Sequence, residues 1–416
     1  MNSLHVLYLH LYFASRKGNA GTRSLEMAKG LIAKGHRVTM ICPGLHTEPE
    51  LSLKPGEVYR EVDVEGIHCV PIAAAFGDGR KGTGISAYKR MLLFYQFASL
   101  AIKVGKKLDR PDVVYATSPP LHVGLGGRGL AKHFRVPFVF EVRDQWPEGL
   151  VLAGVLKNPL AIWWLSRIEK KLYRAADHIV ALAPGMKKGV AAVGFPESRI
   201  TTIPNGSDLD LFHPDLNGQS AREQLGVGDR FTAIYFGAMG KVNGLDYAVK
   251  AAKVLKDRGN DRIAIVLHGD GGQRAELEAM AAEWKLDNLI FSGPSDRETV
   301  AKIVAGCDAC LTILVPAPGL TCSPNKLFDA FAAGRPVVLN VPGWPGETVE
   351  KNKCGCYVPP DDPEAMANAL EKLADDPQLC AQMSRNGRAL AEREFSRQIL
   401  VDQLENVLTN SVNEQR

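Results

Sequence analysis

Short apolar runs recur along the chain, each followed by a loop and then by a stretch with apolar residues every three or four positions. "HVLYLHLYF" (5–13) reads as a strand, "SRKGNAGTR" (15–23) as a loop, and "SLEMAKGLIAKG" (24–35) as a helix. The helix carries Leu25, Ala28, Leu31 and Ile32 on one stripe and stops at Gly35; "HRVTMICP" (36–43) follows as the next strand. "DVVYAT" (112–117), "PFVFEVRD" (137–144) and "HIVALA" (178–183) continue the alternation, which "RITTIPNGSDLDLFHPD" (199–215) breaks with turn formers. It then restarts with "FTAIYFGAMG" (231–240), "YAVKAAKVLKDRG" (247–259), "IAIVLHGDGG" (263–272), "AELEAMAAEW" (275–284), "LIFSGP" (289–294) and "ACLTILV" (309–315). Strands buried on both faces and separated by helices imply an α/β fold with parallel sheets. Two such runs imply two Rossmann-like halves, joined by a linker near residues 205–225.

The last unit of the second half, "SPNKLFDAFAAGRPVVLN" (323–340), carries the most unusual helix start. Ser323 is suited to cap the helix and Pro324 to occupy its first position. Gly334 is suited to end it and Pro336 to prevent its resumption, before the strand "VVLN". The start of a helix presents unpaired N–H groups and positive partial charge, a setting for phosphate. Lys326 adds to that positive end instead of balancing it, and Asp329 lies one turn further on. The bland alternative is a lysine reaching solvent beside an ordinary surface acid.

Composition narrows the options. The 416 residues are 45% hydrophobic and 23% charged, as expected of an ordered globular chain long enough for two domains. A net charge of +4 without a Lys/Arg block argues against a nucleic-acid partner. No apolar run reaches the roughly 18 residues of a membrane-spanning helix. The start "MNSLHVLYLHLYF" reads as a strand and not as a signal peptide, so the expected location is the cytoplasm. The eight cysteines are expected as free thiols. Cys307 and Cys310 form a C-x2-C pair, but Cys322, Cys354 and Cys356 follow at spacings unlike a zinc site, and Cys310 opens an apolar run.

The loops after strands point to a nucleotide without the dinucleotide fingerprint. Gly18 and Gly21 in the first half lack the G-x-G-x-x-G spacing, as do Gly237, Gly240 and Gly244 in "GAMGKVNG". Three places in the second half could hold phosphate: the 237–240 loop with Lys241, the 293–295 loop with Gly293, and the 323–326 helix start with Ser323, Asn325 and Lys326. Ligands of open α/β sheets bind at the carboxyl ends of strands, where these loops converge. The expected ligand is a nucleotide diphosphate held by backbone N–H groups and lysines.

These residues resemble a known family, the retaining glycosyltransferases of family 4 with the GT-B fold. "GHRVTMI" resembles its first-domain signature, "IPNGSDLDLF" its linker motif, and "LHGDGGQRAELE" its second-domain segment. "LIFSGP", "FDAFAAGRPVV" and "GCYVPPDDPEAMANAL" follow in the family's order. "EVRDQWPE" and "SPNKLFDAFAAGRPVV" resemble a subgroup that builds bacterial surface polysaccharides, often with N-acetylamino sugars. The resemblance implies two Rossmann-like domains facing each other across a cleft: an acceptor-side domain over 1–207, a nucleotide-sugar domain over 208–392, and a C-terminal helix over 393–416 packing back on the first. There are departures. Thr321 stands at the first of two acidic positions eight apart, with Asp329 at the second. Ala238 and Asn243 stand near places where members carry an arginine and a lysine, leaving Lys241 as that loop's cation. "EVRD" replaces a histidine-containing motif.

The implied reaction breaks a bond between a sugar C1 and a diphosphate, with negative charge growing on the phosphate. Lys241 and Lys326, with Asp144 on the sugar or acceptor side, are the expected catalytic residues. Gly21, Arg143, Gly237, Gly240, Gly293, Ser323, Asn325 and Asp329 are expected to bind the donor, Asp329 through the ribose hydroxyls. No protein nucleophile is evident, which fits front-face attack assisted by the departing phosphate. Glu148 is a further acceptor-side acid. Asp208 and Asp210 have the Asp-x-Asp form that holds metals in other glycosyltransferases, but here they sit in a turn; no metal or other cofactor is expected, and the donor is expected to be UDP-linked. His122 reads as structural. "YKRMLLFYQFASLAIKVGKK" (88–107) and "LAIWWLSRIEKKLYR" (160–174) flank apolar residues with cations, as core helices or as peripheral contacts with the inner face of the plasma membrane, where a glycan or polyprenyl-diphosphate-linked acceptor would lie. A nucleotide-sugar epimerase and a non-catalytic sugar-nucleotide sensor share these features.

Overall fold

The computed structural model describes residues 3–15, 23–44, 48–73, 86–152, 154, 156–315 and 322–415, with the side chains of 87 and 88 excepted. The chain divides into two compact units, Met1–Pro204 with Gln398–Arg416, and Asn205–Arg397. The boundary falls inside the "IPNGS" stretch.

The first unit holds β1 (His5–His10), β2 (Arg37–Pro43), β3 (Val62–Val64), β4 (Ile67–Ile72), β5 (Val113–Thr117), β6 (Phe138–Val142), β7 (His178–Ala181) and β8 (Ile200–Thr202). They form one sheet in the order β3-β4-β2-β1-β5-β6-β7-β8. Every pairing is parallel except the β3–β4 hairpin, which the pattern of apolar runs did not signal. Both faces of the central strands are covered, so β1, β5 and β6 are buried throughout. Helix Arg23–Ala33 buries Leu25, Ala28 and Leu31 against this sheet, and Gly35 leaves it with a φ of 90°, the left-handed region that favours glycine.

Helix Arg397–Gln415 completes the first unit. Leu400, Val401, Leu404, Val407, Leu408 and Val412 recur at helical spacing and join the cluster of Leu25, Ala28 and Leu31. Charges fasten the same helix: Lys34 meets Asp402 at 2.8 Å and Glu405 at 2.6 Å. His36 accepts from the Leu4 N–H through Nδ1 and lies 2.9 Å from Glu405 through Nε2, which assigns the ring proton to Nε2.

The second unit has β9 (Phe231–Phe236), β10 (Ile263–His268), β11 (Leu289–Ser292), β12 (Ala309–Thr312), β13 (Val337–Leu339) and β14 (Gly355–Tyr357). The order is β11-β10-β9-β12-β13-β14, all parallel. From β9 the chain winds outward to β11, then returns to β12 on the other side. The switch point lies between the ends of β9 and β12, where a Rossmann-type sheet takes its ligand. Cys307 and Cys310 are buried among apolar residues here, where burial raises the Cys307 thiol to about 12.

One local expectation is corrected. Helix Asn325–Ala332 starts one residue later than its sequence implied: Pro324, not Ser323, is the cap residue, and no side chain caps the end. The Ser323 hydroxyl is engaged elsewhere, as acceptor for the Asn205 N–H at 3.0 Å. Gly334 does end the helix, with a φ of 59°.

Packing of the C-terminal helix makes a testable point. A Cβ on Gly30 would lie 2.4 Å from Val401 Cγ2. Gly30→Ala is expected to lower stability by about 1–3 kcal/mol through overpacking, and adding Val401→Ala to recover part of it. Denaturant unfolding of the two variants checks this, and equal stability of Gly30→Ala and the parent would mean that the helix does not pack there.

Candidate active site

Two glycine-bearing loops meet at the carboxyl ends of β9 and β10. Gly237 has a φ of 134° and Gly269 a φ of 138°. A Cβ on Gly269 would fall 2.0 Å from the Gly237 carbonyl oxygen, and one on Gly271 2.5 Å from that of Met239. Only glycine lets the two backbones approach so closely. Their contact is hydrogen-bonded: the Gly237 N–H donates to His268 O and the Met239 N–H to Asp270 O, both at 2.9 Å. The Gly240 N–H donates to Asn243 Oδ1 at 3.2 Å. These bonds correct the expectation that Gly237 and Gly240 grip phosphate through their N–H groups, because both donors are committed within the protein. What the glycines supply is an open surface without side chains, since both sit at the rim of β9.

Lys326 reaches that surface from the first turn of helix Asn325–Ala332. Its Nζ lies 3.3 Å from Tyr235 Oη and 4.5 Å from the centre of the Tyr235 ring, a cation–π contact. A Cβ on Gly237 would be 3.7 Å from Lys326 Nζ, which sets the amine directly over the loop. Tyr235 in turn donates to Ala238 O at 2.7 Å, fixing the ring under the lysine. Lys326 has no ion pair among the described residues, and loss of solvent lowers its pKa to about 8, against the raising influence of Cys322 and Asp329. An ammonium held in this state gains most from an arriving anion. Lys241 sits on the same loop, exposed, on the one-turn helix Lys241–Asn243. Asn325 is exposed at the helix start.

Asp329 lies one turn beyond Lys326 and is only 3% exposed. Its Oδ1 accepts from Ser207 Oγ at 2.7 Å and from Arg297 at 3.0 Å. Arg297 also packs its guanidinium over the Phe212 ring, 5.2 Å from the centroid. Asn205 adds a second tie, donating through Nδ2 to Ser323 O at 2.6 Å. The "IPNGS" motif is thereby bound to the start of the lysine-bearing helix. Asp329 is a buried member of an ion-pair network, not the ordinary surface acid of the bland alternative. Arg297 had no signal in the sequence beyond following the 293–296 loop; Gly293 itself is exposed at the end of edge strand β11, two strands from β9.

In the first unit, the ends of β1, β5 and β6 bring His10, Ser118 and Arg143 together. The Arg143 N–H donates to Ser118 Oγ at 3.1 Å, and its guanidinium lies 3.4 Å from His10 Nε2. Asp144 touches solvent, yet the surrounding protein desolvates it and raises its carboxyl pKa, with Arg143 opposing. The buried ion pair of the "EVRD" stretch belongs to Glu141. Arg23 donates twice to Glu141 Oε1, at 2.9 and 2.8 Å, Tyr115 donates to it at 2.7 Å, and Thr117 donates to Oε2 at 2.5 Å. Burial alone would raise the Glu141 carboxyl; the Arg23 charge and these bonds hold it below its usual value. Arg23 also donates to Pro204 O and Ile203 O, at 2.6 and 3.0 Å. Glu148 is exposed at the start of helix Glu148–Leu152.

The remaining expected residues fall as follows. Gly21 and Thr321 lie outside the described residues. His122 is buried between Phe94 and Tyr95, and desolvation lowers its pKa to about 4, so the ring is neutral at physiological pH. Asp208 Oδ1 accepts from the N–H groups of Asp210 and Leu211, both at 3.2 Å, which makes a side-chain-closed turn. Among the described residues no three His, Cys, Asp or Glu side chains gather as a metal site would require.

Comparison with known proteins matches this arrangement to two domain families. Residues 18–206 match the family described as "Glycosyl transferase 4-like domain" and residues 218–390 that described as "Glycosyl transferases group 1". The chain is 24% identical over 428 aligned positions, covering 99% of its own length and 100% of the relative, to an Escherichia coli protein named putative colanic acid biosynthesis glycosyl transferase WcaI. It is 29% identical over 380 positions, 90% of this chain and 89% of the relative, to a Mycobacterium tuberculosis GDP-mannose-dependent alpha-(1-6)-phosphatidylinositol dimannoside mannosyltransferase. The crystal structure of Anabaena Alr3699/HepE in complex with UDP and glucose superimposes with a TM-score of 0.72 at 17% identity, covering 98% of this chain and 100% of that one.

The Ser207–Asp329–Arg297 network sets a measurable expectation. Asp329→Asn is expected to lower unfolding free energy by on the order of 1–3 kcal/mol, and Ser207→Ala by about 1 kcal/mol, because a buried carboxylate loses its partner or its charge. Denaturant melts read both, and an Asp329→Asn variant as stable as the parent would show the network to be incidental.

Proposed function

Because the chain belongs to the glycosyltransferases, with a 4-like domain followed by a group 1 domain, we propose that it transfers a sugar, with retention at C1, from a UDP-N-acetylamino sugar to a glycan or polyprenyl-diphosphate-linked acceptor in surface polysaccharide synthesis. The observation that carries the reading is the partly desolvated Lys326 ammonium over the Gly237 surface, without an ion pair among the described residues. In the reaction the C1–O bond to the diphosphate breaks and negative charge grows on the leaving oxygen. Lys326, Lys241 and the first turn of helix Asn325–Ala332 supply positive charge where it develops. The acceptor hydroxyl attacks C1 from the face the diphosphate leaves, and its proton passes to the departing phosphate. Asp329, with Oδ1 fixed by Ser207 and Arg297, offers Oδ2 to the ribose hydroxyls. Arg143 and Asp144 serve the sugar and acceptor side. The two lysines and the helix end take the charge-neutralising role that a divalent metal has in other transferases, so the reaction proceeds without one.

The donor base follows the Anabaena protein, whose crystals hold UDP and glucose. The mycobacterial relative is named for GDP-mannose, so UDP- and GDP-linked sugars form the two arms of a donor panel. Polysaccharide synthesis follows the naming of the Escherichia coli relative.

The test is steady-state transfer with that panel in excess chelator. Activity is expected to persist, with kcat/KM falling as pH rises through about 8, since the ammonium binds the diphosphate and the neutral amine does not. Lys326→Met is expected to flatten that limb and to lower kcat on the order of tenfold to a hundredfold, the worth of one charge-assisted bond. Unchanged kinetics in Lys326→Met would put the donor elsewhere, and activity restored only by manganese or magnesium would overturn the metal-free reading.

A further inference from the structure

Helix Pro159–Ala175 presents an exposed face that the transfer chemistry does not use. Leu165, Ile168, Leu172 and Tyr173 are buried and hold the helix on the first unit. On the other side Leu160 is 76% exposed, Trp163 55% and Trp164 53%. Arg167, Lys170, Lys171 and Arg174 continue along the exposed residues toward the C-terminal end. Residues 160, 163, 164, 167, 171 and 174 fall at steps of three, four and seven, so they share one helical face. The face is therefore segregated lengthwise, with large apolar side chains first and cations after. The helix has a single acid, Glu169, and it is buried. Helix Glu148–Leu152, just before it in sequence, buries none of its residues and exposes Val151 and Leu152.

Folding does not account for this arrangement. The helix dipole explains a cation in the last turn, which is Arg174, but not the three before it. The tryptophans are not free to retract: Trp164 donates from its indole N–H to Tyr95 Oη at 3.1 Å, and Arg167 stacks on Trp163 at 5.0 Å from the ring centroid. By contrast, helix Ala87–Gly105 buries Leu93, Phe94, Phe97, Ala98, Ala101 and Val104 in the first unit, so most of its apolar content is core. Among the described side chains, helix Ala87–Gly105 leaves only Leu92 as an exposed large apolar residue, whereas helix Pro159–Ala175 leaves Leu160, Trp163 and Trp164 in water. Among the described residues no helix is long and apolar enough to cross a membrane.

We propose that the exposed face of helix Pro159–Ala175 docks on an anionic lipid bilayer, lying in the interface plane. Tryptophan and leucine enter at headgroup depth, where an indole is apolar on its ring and polar at its N–H. The four cations meet lipid phosphates, and the absence of an exposed acid on the helix removes the repulsion that would oppose them. A protein partner fits less well, since interface cores are depleted in lysine. The proposal stands independently of the donor chemistry, and it places the acceptor-side unit at the surface where a lipid-linked acceptor resides.

Flotation of the full-length protein with phosphatidylglycerol vesicles and with phosphatidylcholine vesicles tests it. At low salt the protein is expected to float with the first and not the second, and to be released as salt shortens the screening length. Lys170→Gln with Lys171→Gln is expected to weaken binding on the order of twentyfold, at about fivefold per surface cation. Leu160→Ser with Trp163→Ser is expected to weaken it by about tenfold or more. All four positions are exposed, so melting temperatures should stay unchanged; if the apolar pair does alter folding, the lysine pair still decides the matter. No flotation with phosphatidylglycerol, or flotation unaffected by the lysine pair, overturns the proposal. So does a dimer in sedimentation that Leu160→Ser with Trp163→Ser dissolves, because a second copy would then cover the face.

Discussion

Holding a lysine ammonium partly out of water, with no carboxylate paired to it among the described residues, constrains everything around it in the second unit. Desolvation costs the charged form and drags the Lys326 pKa down to about 8. The protein offsets part of that cost with the Tyr235 ring, and Tyr235 is itself tied to the Ala238 carbonyl. The amine lies over Gly237, whose backbone φ of 134° falls in the region that favours glycine. Gly269 and Gly271 allow the neighbouring loop to press against the same turn. The strand switch point, the glycine loops and the lysine form one device, which holds a positive charge at the place where Rossmann-type sheets bind nucleotides.

The linker motif serves that device. Asn205 and Ser207 bind Ser323 and Asp329, so residues adjoining the unit boundary set where the lysine-bearing helix begins and how its acid is oriented. On the first unit's side Arg23 holds the Ile203 and Pro204 carbonyls while anchoring buried Glu141. A stretch that reads as a string of turn formers is, in the folded chain, held by buried polar groups along its length. Such networks fix geometry because each member would be costly to leave unsatisfied.

Much of the fold was legible because alternation of apolar strands and amphipathic helices is a local signal. The two halves, the parallel sheets, the Gly334 stop and the resemblance to glycosyltransferases all came from short windows of sequence. The β3–β4 hairpin did not, since β3 has only three residues and carries too little pattern. The site was legible in its cations but not in its wiring. Lys326 was conspicuous as a positive residue at a positive helix end. The partners of Asp329 are 122 and 32 residues away, and nothing local in Ser207 or Arg297 announces them. Local preference makes Ser323 a cap, whereas Asn205 claims its hydroxyl in the tertiary structure. The glycine N–H groups failed as phosphate ligands for a similar reason: their partners lie on the neighbouring loop. The two basic-flanked helices look alike in sequence, and only packing separates a mostly buried helix from one with an exposed aromatic face.

In the reading proposed above, Lys326 and the Gly237 loop receive the diphosphate of the donor. Calorimetric titration of the ligand-free protein with UDP and with UMP measures this without relying on turnover. UDP should bind more tightly than UMP by on the order of tenfold or more, the value of one charge-assisted contact to the second phosphate, and Lys326→Met should abolish most of that difference while leaving UMP affinity nearly unchanged. An undiminished preference for UDP in Lys326→Met would contradict the account.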